Sequence, residues 1–317
     1  MPRIVIPDDA PPVMASSPSY RRLLEQTPVD YHDTLPESEE QLIQRIAGFD
    51  VVICIRSSTY FTENVFSRSP DLRLLSLWGT GTDNVDLAAA SRHGVTVTNT
   101  PGVSAFSIAE HALMLMLAVA RKVPQLDAEV RRDHWPSGGA TQLHGKTLGI
   151  VGLGAIGRQF ARLGQGIGMR VVAWTMHPNP SLGFELVPLD NLLEMSDVVS
   201  LHLRLSDQTR AFIGARELEK MKSSAFLVNT ARGAIVDESA LIQVLKDRRI
   251  AGAGLDVFTV EPLPPGHALT SLENVVLTPH SAGVTPEALE AGLSLSIENV
   301  WSFLAGRAAH VVAGGRA

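Results

Sequence analysis

The stretch Thr147-Leu-Gly-Ile-Val-Gly-Leu-Gly-Ala-Ile-Gly-Arg158 decides the fold prediction for this chain. Its first part, Thr147–Val151, is a short apolar run typical of a buried strand, and a helix is predicted over Arg158–Ile167. Between them lie three glycines, Gly152, Gly154 and Gly157. In this context the first glycine permits a tight turn, the second lets backbone approach a pyrophosphate, and the third lets the helix pack on its strand. The stretch therefore predicts a dinucleotide-binding βαβ unit.

Outward from this stretch, short β-rich runs alternate with helical periodicity, which is typical of α/β chains with parallel sheets. In the second half the predicted strands are Thr147–Val151, Arg170–Trp174, Val198–Leu201, Ala225–Asn229, Gly252–Val257 and Val275–Leu277. In the first half they are Arg3–Ile6, Val51–Ile55, Leu72–Leu77 and Val95–Thr98.

The pattern changes near Pro101-Gly102, where Ser104 is a candidate cap for a long helix to about Val123. One last helix is predicted from Pro286 to about Leu304. A chain of 317 residues exceeds what one core usually serves. We therefore predict two doubly wound, Rossmann-like α/β domains with parallel sheets. The cofactor domain, residues 101–281, is inserted into a substrate domain formed by residues 1–100 and 282–317.

Composition and charge exclude several classes of partner. The net charge is −6 and no dense run of Lys and Arg occurs, so no nucleic-acid partner is predicted. The longest apolar helix candidate, Ala112–Ala120, is too short to cross a membrane. The chain enters the strand-like run Arg3–Ile6 without a signal-peptide pattern, which predicts a cytoplasmic location. The single cysteine, Cys54, lies in an apolar run and is predicted to be a buried strand residue.

The end of the second strand of the βαβ unit bears on the choice of cofactor. NAD-specific folds usually place an acidic residue there, on the ribose hydroxyls. Here the chain reads Thr175-Met176-His177-Pro178, without a carboxylate and without an arginine for a 2′-phosphate. His177 and Arg158 are the nearest candidates for that role. NAD and NADP both remain open.

Three residues at the ends of later strands match the needs of hydride transfer to a keto acid. Arg232 can grip a carboxylate bidentately. His280 can donate a proton to the carbonyl oxygen, and Glu261 can keep that ring charged and fix its tautomer. Taken singly, each has an ordinary structural explanation. The presence of all three on one dinucleotide fold favours catalysis.

The remaining histidines do not indicate a metal site. His93, His111, His134, His144 and His267 share no ligand spacing with Cys, Asp or Glu. We therefore predict that no metal is required and that these histidines are structural.

At these residues the sequence closely resembles the D-isomer-specific 2-hydroxyacid dehydrogenases, which include phosphoglycerate dehydrogenases and glyoxylate/hydroxypyruvate reductases. The resemblance runs from about Val52 to Gly283. It rests on Gly79–Asp86, Gly152–Gly157, Asn229–Gly233, Leu255–Phe258 with Glu261-Pro262, and Thr278–Gly283. The spacings also match, with His280 19 residues after Glu261 and Glu261 29 residues after Arg232.

The resemblance implies an NAD(P)-dependent 2-keto acid reductase acting on CH–OH donors in the reverse direction, and a homodimer built largely through the cofactor domain. It implies His280 as acid/base, Glu261 as its partner and Arg232 as carboxylate binder. The implied cofactor contacts are Gly152, Gly154, Ala155, Ile156, Gly157, Arg158, Thr175, Thr230, Ala231, Asp256 and Gly283. The implied substrate contacts are Arg56, Ser57, Trp78, Gly79, Thr80, Gly81, Arg232 and His280.

Three positions depart from the family pattern. Thr175 replaces the usual acid, so the cofactor choice stays open. Arg204 stands where many relatives have proline and is either a surface charge or an extra cofactor contact. Trp78 is bulky where small residues are common, and either narrows the substrate pocket or packs in the core.

The favoured hypothesis is a dehydrogenase for a small 2-keto acid such as glyoxylate, hydroxypyruvate, or a branched or aromatic acid. The alternative from another class is a nicotinamide-sensing binding protein like the corepressors that share this fold. A formate or phosphite dehydrogenase is a third hypothesis, and Glu261 disfavours the formate enzyme, which typically carries glutamine there.

Overall fold

A computed structural model describes residues 2–314. The strands in these residues are β1 (Ile4–Ile6), β2 (Val29–Tyr31), β3 (Val51–Cys54), β4 (Leu74–Leu77), β5 (Thr96–Thr98), β6 (Thr147–Val151), β7 (Arg170–Trp174), β8 (Glu185–Leu186), β9 (Val198–Leu201), β10 (Phe226–Asn229), β11 (Gly252–Leu255), β12 (Val275–Leu277) and β13 (Val311–Ala313). The α-helices are α1 (Pro18–Gln26), α2 (Glu39–Ile46), α3 (Glu63–Ser67), α4 (Leu87–Arg92), α5 (Ala105–Arg121), α6 (Val123–Val130), α7 (Ala155–Gly166), α8 (Leu189–Met195), α9 (Ala215–Lys220), α10 (Glu238–Lys246) and α11 (Pro286–Leu304).

The chain divides into two compact units. Unit 1 is Met1–Ser104 with Val284–Ala317, and unit 2 is Ala105–Gly283. Each contains one sheet flanked by helices, so the predicted fold class, two Rossmann-like α/β sheets, is confirmed.

The sheet of unit 2 has the order β12-β11-β10-β9-β6-β7-β8, and all its strand pairs are parallel. Because helices cover both faces, its strands are apolar on both sides. Successive residues of β6 illustrate this: Ile150 packs with α5 and α7, whereas Val151 packs with α8, α9 and α10. Because all the strands run in the same direction, their carboxyl ends meet at one edge of the sheet.

The sheet of unit 1 has the order β13-β5-β4-β3-β1-β2. Its strands are parallel except β13, which pairs antiparallel with β5 at the edge. One face packs against α2, α3 and α4, and the other against α1 and α11. The sheet is therefore mostly, not entirely, parallel.

Two glycines let α5 lie directly on β11. A Cβ on Gly254 would lie 2.9 Å from Cβ of Leu115, and one on Gly252 would lie 3.0 Å from Cγ2 of Val119 and would also overlap the carbonyl oxygen of Asn274. Any larger residue would push the helix away from the strand. This close approach aligns α5 with the residues that follow β11.

Most predicted elements are present within one or two residues of their predicted ends. The long helix predicted to Val123 instead ends at Arg121, because Lys122 adopts a left-handed φ of 55° before α6 begins. No individual prediction covers the helices α1, α3, α6, α8, α9 and α10 or the edge strands β2, β8 and β13.

Candidate active site

The glycine-rich loop follows β6 where the strand order of unit 2 reverses. The chain runs from β6 outward to β7 and β8, then returns to β9 on the other side of β6. Ligands of open parallel sheets bind at such a switch point, at the carboxyl ends of the strands.

The three glycines of this loop have different surroundings. Gly152 has a φ of 104°, and a Cβ there would lie 2.6 Å from the carbonyl oxygen of His202. A Cβ on Gly157 would overlap the carbonyl oxygen of Gly152. At Gly154, by contrast, a Cβ would meet no atom of the described chain within 4 Å. The first and third positions are closed by the protein itself, whereas the second is open.

Helix α7 begins immediately after Gly154, and among the described residues no side chain caps its first turn. Gly154 and Ala155 are exposed. The N–H groups at the start of a helix have no intrahelical partner and carry a partial positive charge. An open glycine beside an uncapped helix start fits the pyrophosphate of a dinucleotide.

The residues after β7 form the candidate ribose site. Thr175 is half-buried, whereas Met176 and His177 are exposed. Arg158, in the first turn of α7, is half-buried, and Arg204, after β9, is exposed. Trp174, the last residue of β7, stacks on Phe212 with ring centroids 5.1 Å apart. The candidate ribose site thus carries the hydroxyl of Thr175 and no carboxylate directly after β7.

His280 and Glu261 form a direct pair. The distance from Nδ1 of His280 to Oε2 of Glu261 is 2.6 Å, and both side chains are about one-third exposed, at 35% and 33%. Oε1 of Glu261 accepts the backbone N–H of Phe258 at 2.8 Å. A carboxylate at Nδ1 places the ring's other nitrogen, Nε2, in position to exchange a proton with a ligand.

Glu261 is charged in this arrangement. Burial would raise the pKa of its carboxyl group. The hydrogen bonds from His280 and Phe258, together with the electrostatic influence of His280 and Arg232, outweigh burial and lower that pKa below its ordinary value. Glu261 therefore stabilises a positive charge on the imidazole.

Arg232 lies in the loop after β10. Asn229 shapes this loop by accepting the N–H of Ala231 at 3.0 Å and donating to the carbonyl of Arg232 at 3.0 Å. A Cβ on Gly233 would overlap the backbone of Phe258, so this loop packs directly against the segment leading to Glu261. Close packing of the two loops places the guanidinium near enough to Glu261 to lower its pKa.

Asp256 is fully buried and holds the loop that carries His280, while its expected contact with the cofactor stays a prediction. Oδ1 accepts the hydroxyl of Thr278 at 2.6 Å and the N–H of Ser281 at 2.9 Å, and Oδ2 accepts the N–H of Ala282 at 2.9 Å. Its carbonyl oxygen accepts the N–H of His280 at 2.8 Å. This set of partners was not anticipated from the sequence.

The other expected cofactor contacts lie nearby in the same unit. Thr230 is almost fully buried, and its hydroxyl has no hydrogen-bond partner among the described residues. Ala231, directly before Arg232, and Gly283, three residues after His280, are both half-buried.

The expected substrate contacts of unit 1 lie at the carboxyl ends of β3 and β4. Arg56, 17% exposed, lies 3.5 Å from Oδ1 of buried Asp9, so its charge is already paired within the unit. Ser57 is exposed. The turn Gly79–Gly81 is tied to Thr100, whose hydroxyl accepts the N–H of Gly79 at 2.7 Å.

Trp78 packs on α11 of the same unit. Its indole N–H donates to the carbonyl of Leu289 at 3.3 Å. Gly292 leaves room for the ring, since a Cβ there would overlap the indole. The observed contacts are those of a packing residue.

Among residues 2–314, no group of three or more His, Cys, Asp and Glu side chains could hold a metal ion. No helix within residues 2–314 is both long and apolar enough to cross a membrane.

The fold and the glycine-rich loop after β6 define a dinucleotide-binding α/β protein, which also carries the imidazole–carboxylate pair of His280 and Glu261. Comparison with known proteins identifies the family. Residues 113–282, more than half of the chain, match the model for the D-isomer specific 2-hydroxyacid dehydrogenase, NAD binding domain. The chain is 40% identical over 286 residues to a glyoxylate reductase of Korarchaeum cryptofilum, covering 87% of this chain and 86% of that protein. It is 37% identical over 283 residues to a glycerate dehydrogenase of Methylorubrum extorquens, covering 86% and 88%.

A solved structure, an acyclic imino acid reductase in complex with NADPH and D-Arg, superposes with a TM-score of 0.89 at 31% identity, covering 98% of this chain and 99% of that one. The chain belongs to the D-isomer-specific 2-hydroxyacid dehydrogenase family. The prediction of a nicotinamide-dependent oxidoreductase is thereby confirmed, and the sensor alternative is not favoured.

Proposed function

We propose that the protein reduces a small 2-keto acid, with glyoxylate and hydroxypyruvate as the first candidates, and oxidises the corresponding D-2-hydroxy acid. The observation that carries this proposal is the 2.6 Å pair of His280 and Glu261 at the carboxyl edge of the unit 2 sheet. Relatives named glyoxylate reductase and glycerate dehydrogenase support acids of this size.

In this proposal the bound nicotinamide supplies or accepts the hydride. His280 protonates the developing alkoxide from Nε2 during reduction and takes the hydroxyl proton during oxidation. Glu261 stabilises the charged ring and fixes its tautomer through Nδ1. Arg232 binds the substrate carboxylate and aligns the carbonyl carbon. The proposed further contacts are Arg56, Ser57, Trp78 and Gly79–Gly81.

The cofactor proposal is that the site accepts NADPH as well as NADH. Thr175 offers no negative charge to repel a 2′-phosphate, and Arg158 supplies a positive charge in the first turn of α7. The proposed contacts are Gly152, Gly154, Ala155, Ile156, Gly157, Arg158, Thr175, Thr230, Ala231 and Gly283. Asp256 can join them only by sharing an oxygen already used by the loop 278–282.

The test measures consumption of NADH and NADPH by the purified protein with glyoxylate, hydroxypyruvate, pyruvate and phenylpyruvate. We expect turnover of the smaller acids with both cofactors. A Thr175→Asp variant should lose at least about tenfold in kcat/KM with NADPH and keep its activity with NADH. Binding of either cofactor without turnover of any acid would contradict the proposed reaction. Equal loss with both cofactors would contradict the role of Thr175.

We also propose that two copies of the chain associate through unit 2. Helix α6 has no buried residue within the described chain, although its side chains Val123, Leu126 and Val130 are apolar and exposed. Trp135 follows it and is 88% exposed. An apolar surface of this kind is typical of an interface. Sedimentation should give a dimer, and Leu126→Asp should give a monomer. A monomeric wild-type protein at micromolar concentration would contradict this.

A cytoplasmic location likewise remains a prediction.

A further inference from the structure

Residues of helix α5 contact residues of β11 at regular intervals, and this regular pairing continues to Asp256, at the candidate active site. Val119 lies on Gly252 and Leu115 lies on Gly254, so four helical residues advance as far as two strand residues. These steps agree in length, at about 6 Å for the helix and about 6.6 Å for the strand. The next step pairs His111 with Asp256, and Nε2 of His111 lies 3.4 Å from Oδ1 of Asp256.

The contacts among His111, Thr278 and Asp256 determine which atom donates each hydrogen bond. The hydroxyl of Thr278 lies 2.6 Å from Oδ1 of Asp256 and 2.9 Å from Nε2 of His111. Burial would raise the pKa of Asp256, but the donors around it outweigh burial and lower that pKa, so the carboxylate is charged and can only accept. Thr278 must give its one proton to Asp256. It can therefore only accept from His111, whose Nε2 carries a proton.

The same carboxylate shapes the loop that carries His280. Asp256 accepts the N–H groups of Ser281 and Ala282, on the C-terminal side of His280, and the hydroxyl of Thr278 on the other side. His280 itself has a φ of 51°, a left-handed conformation that L residues with a side chain rarely adopt. Such a conformation persists only where the surroundings over-determine it.

We infer that His111 is a positioning residue for His280: its Nε2–H fixes the Thr278 hydroxyl and the Asp256 carboxylate that hold the loop in its left-handed conformation. The inference rests on the proposed role of His280 as acid/base. It assigns a function to a histidine that the sequence alone predicted to be structural. His111 touches neither Glu261 nor His280 in the described contacts, so it acts through the loop alone.

Paired variants separate the hydrogen bond from the volume of the ring. His111→Leu fills a similar space without a donor, whereas the Nε2 of His111→Gln can reach the position of the imidazole Nε2. Thr278→Val and Thr278→Ser form the same contrast for the hydroxyl. His93→Leu, in unit 1, controls for the loss of a histidine elsewhere, because the side chain of His93 pairs with Glu63 of the same unit.

We expect His111→Leu to lower kcat about tenfold, since a small displacement of a catalytic group is costly, while KM for the acid and Kd for NADH change by less than about twofold. His111→Gln and Thr278→Ser should keep at least about half of the wild-type kcat. The double variant His111→Leu/Thr278→Val should lose no more than the worse single variant, because both remove one shared interaction.

Three results would overturn the inference: unchanged kcat in His111→Leu, an equal loss in His111→Gln, or multiplicative losses in the double variant. The ring ¹H–¹⁵N signals of His280, assigned by their absence in His280→Ala, add a readout independent of turnover. They should shift in His111→Leu and stay in place in His93→Leu. If the wild-type protein reduces no acid, the proposed function fails, and these signals still decide whether His111 positions the ring.

Discussion

The loops after β6 and β12 lie at the same edge of the unit 2 sheet but are built in opposite ways. The loop 152–157 depends on the absence of side chains. A Cβ on Gly152 or Gly157 would clash with backbone atoms, whereas Gly154 faces open space. The loop 278–283 is shaped by side chains that are present, because Asp256 accepts three hydrogen bonds from it.

The difference follows from what each loop is proposed to hold. A pyrophosphate is a large anion that several backbone N–H groups can bind together, so close approach matters more than any side chain. A proton donor must instead point one nitrogen at one atom, so its backbone has to be fixed. The comparison suggests that the first loop determines cofactor affinity and the second determines turnover.

The largest expected effect separates the two loops. His280→Ala should lower kcat by at least about a thousandfold, because the proton donor is removed. NADH affinity should stay within about twofold, since the glycine loop is untouched. Stopped-flow measurement of turnover and fluorescence titration of NADH check both values. A parallel loss of NADH binding would indicate that the loops are not independent.

The next effect tests the difference between glycines of one loop. Gly157→Ala should destabilise the fold by about 3 kcal/mol, because its Cβ would overlap the carbonyl of Gly152. Gly154→Ala meets no described atom within 4 Å and should change the free energy of unfolding by less than about 0.5 kcal/mol.

NADH affinity should nevertheless fall about tenfold in Gly154→Ala, because the methyl group stands where we place the pyrophosphate. Urea unfolding and NADH titration of both variants measure the contrast. Unchanged NADH affinity in Gly154→Ala would remove this position from the proposed cofactor site.

Much of the fold could be predicted because buried parallel strands are continuous apolar runs. The runs at β6, β7, β9 and β12 have the predicted ends. The edge strands β2 and β8 are not fully buried and each contains an acidic residue, so no apolar run marks them. The edge strand β13 is apolar, but it pairs antiparallel with β5, which the pattern of parallel strands and helices does not predict. Pro124 marks a helix boundary near the end of α5, but the left-handed conformation of Lys122, which lets α6 follow directly, is not visible in the residue types.

The candidate site could be predicted where chemistry alone restricts the residue type. An arginine, a glutamate and a histidine at strand ends are informative together, and the structure brings Glu261 and His280 to 2.6 Å. The role of Asp256 depends on a loop 22 residues later folding back onto it. The role of His111 depends on the register of α5 on β11. The sequence gives one indication of this role: His111 is four and eight residues before the buried Leu115 and Val119, which places a histidine on an apolar face of the helix.

The smallest expected effect tests the side-chain scaffold of the second loop by pH. Asp256→Asn should cost about 2 kcal/mol at pH 7, because the amide NH₂ would face a backbone N–H that now has an acceptor. In the wild-type protein the pKa of Asp256 is lowered, since the hydrogen bonds from His111, Thr278, Ser281 and Ala282 outweigh the effect of burial. As the pH falls, Asp256 therefore takes up a proton in the unfolded chain before it does so in the folded protein. The stabilisation by this group is complete above about pH 4 and is lost as the pH falls through the folded-state pKa.

The difference in unfolding free energy between the wild type and Asp256→Asn should accordingly be constant from pH 7 to about pH 5 and shrink below about pH 4. Other acidic groups titrate in both proteins, so the difference isolates Asp256. Urea unfolding of both proteins at several pH values provides the measurement. A difference that stays constant down to pH 3 would mean that Asp256 holds the loop without its charge. The contrast between a loop built on glycines and a loop built on a buried carboxylate would then rest on hydrogen-bond geometry alone.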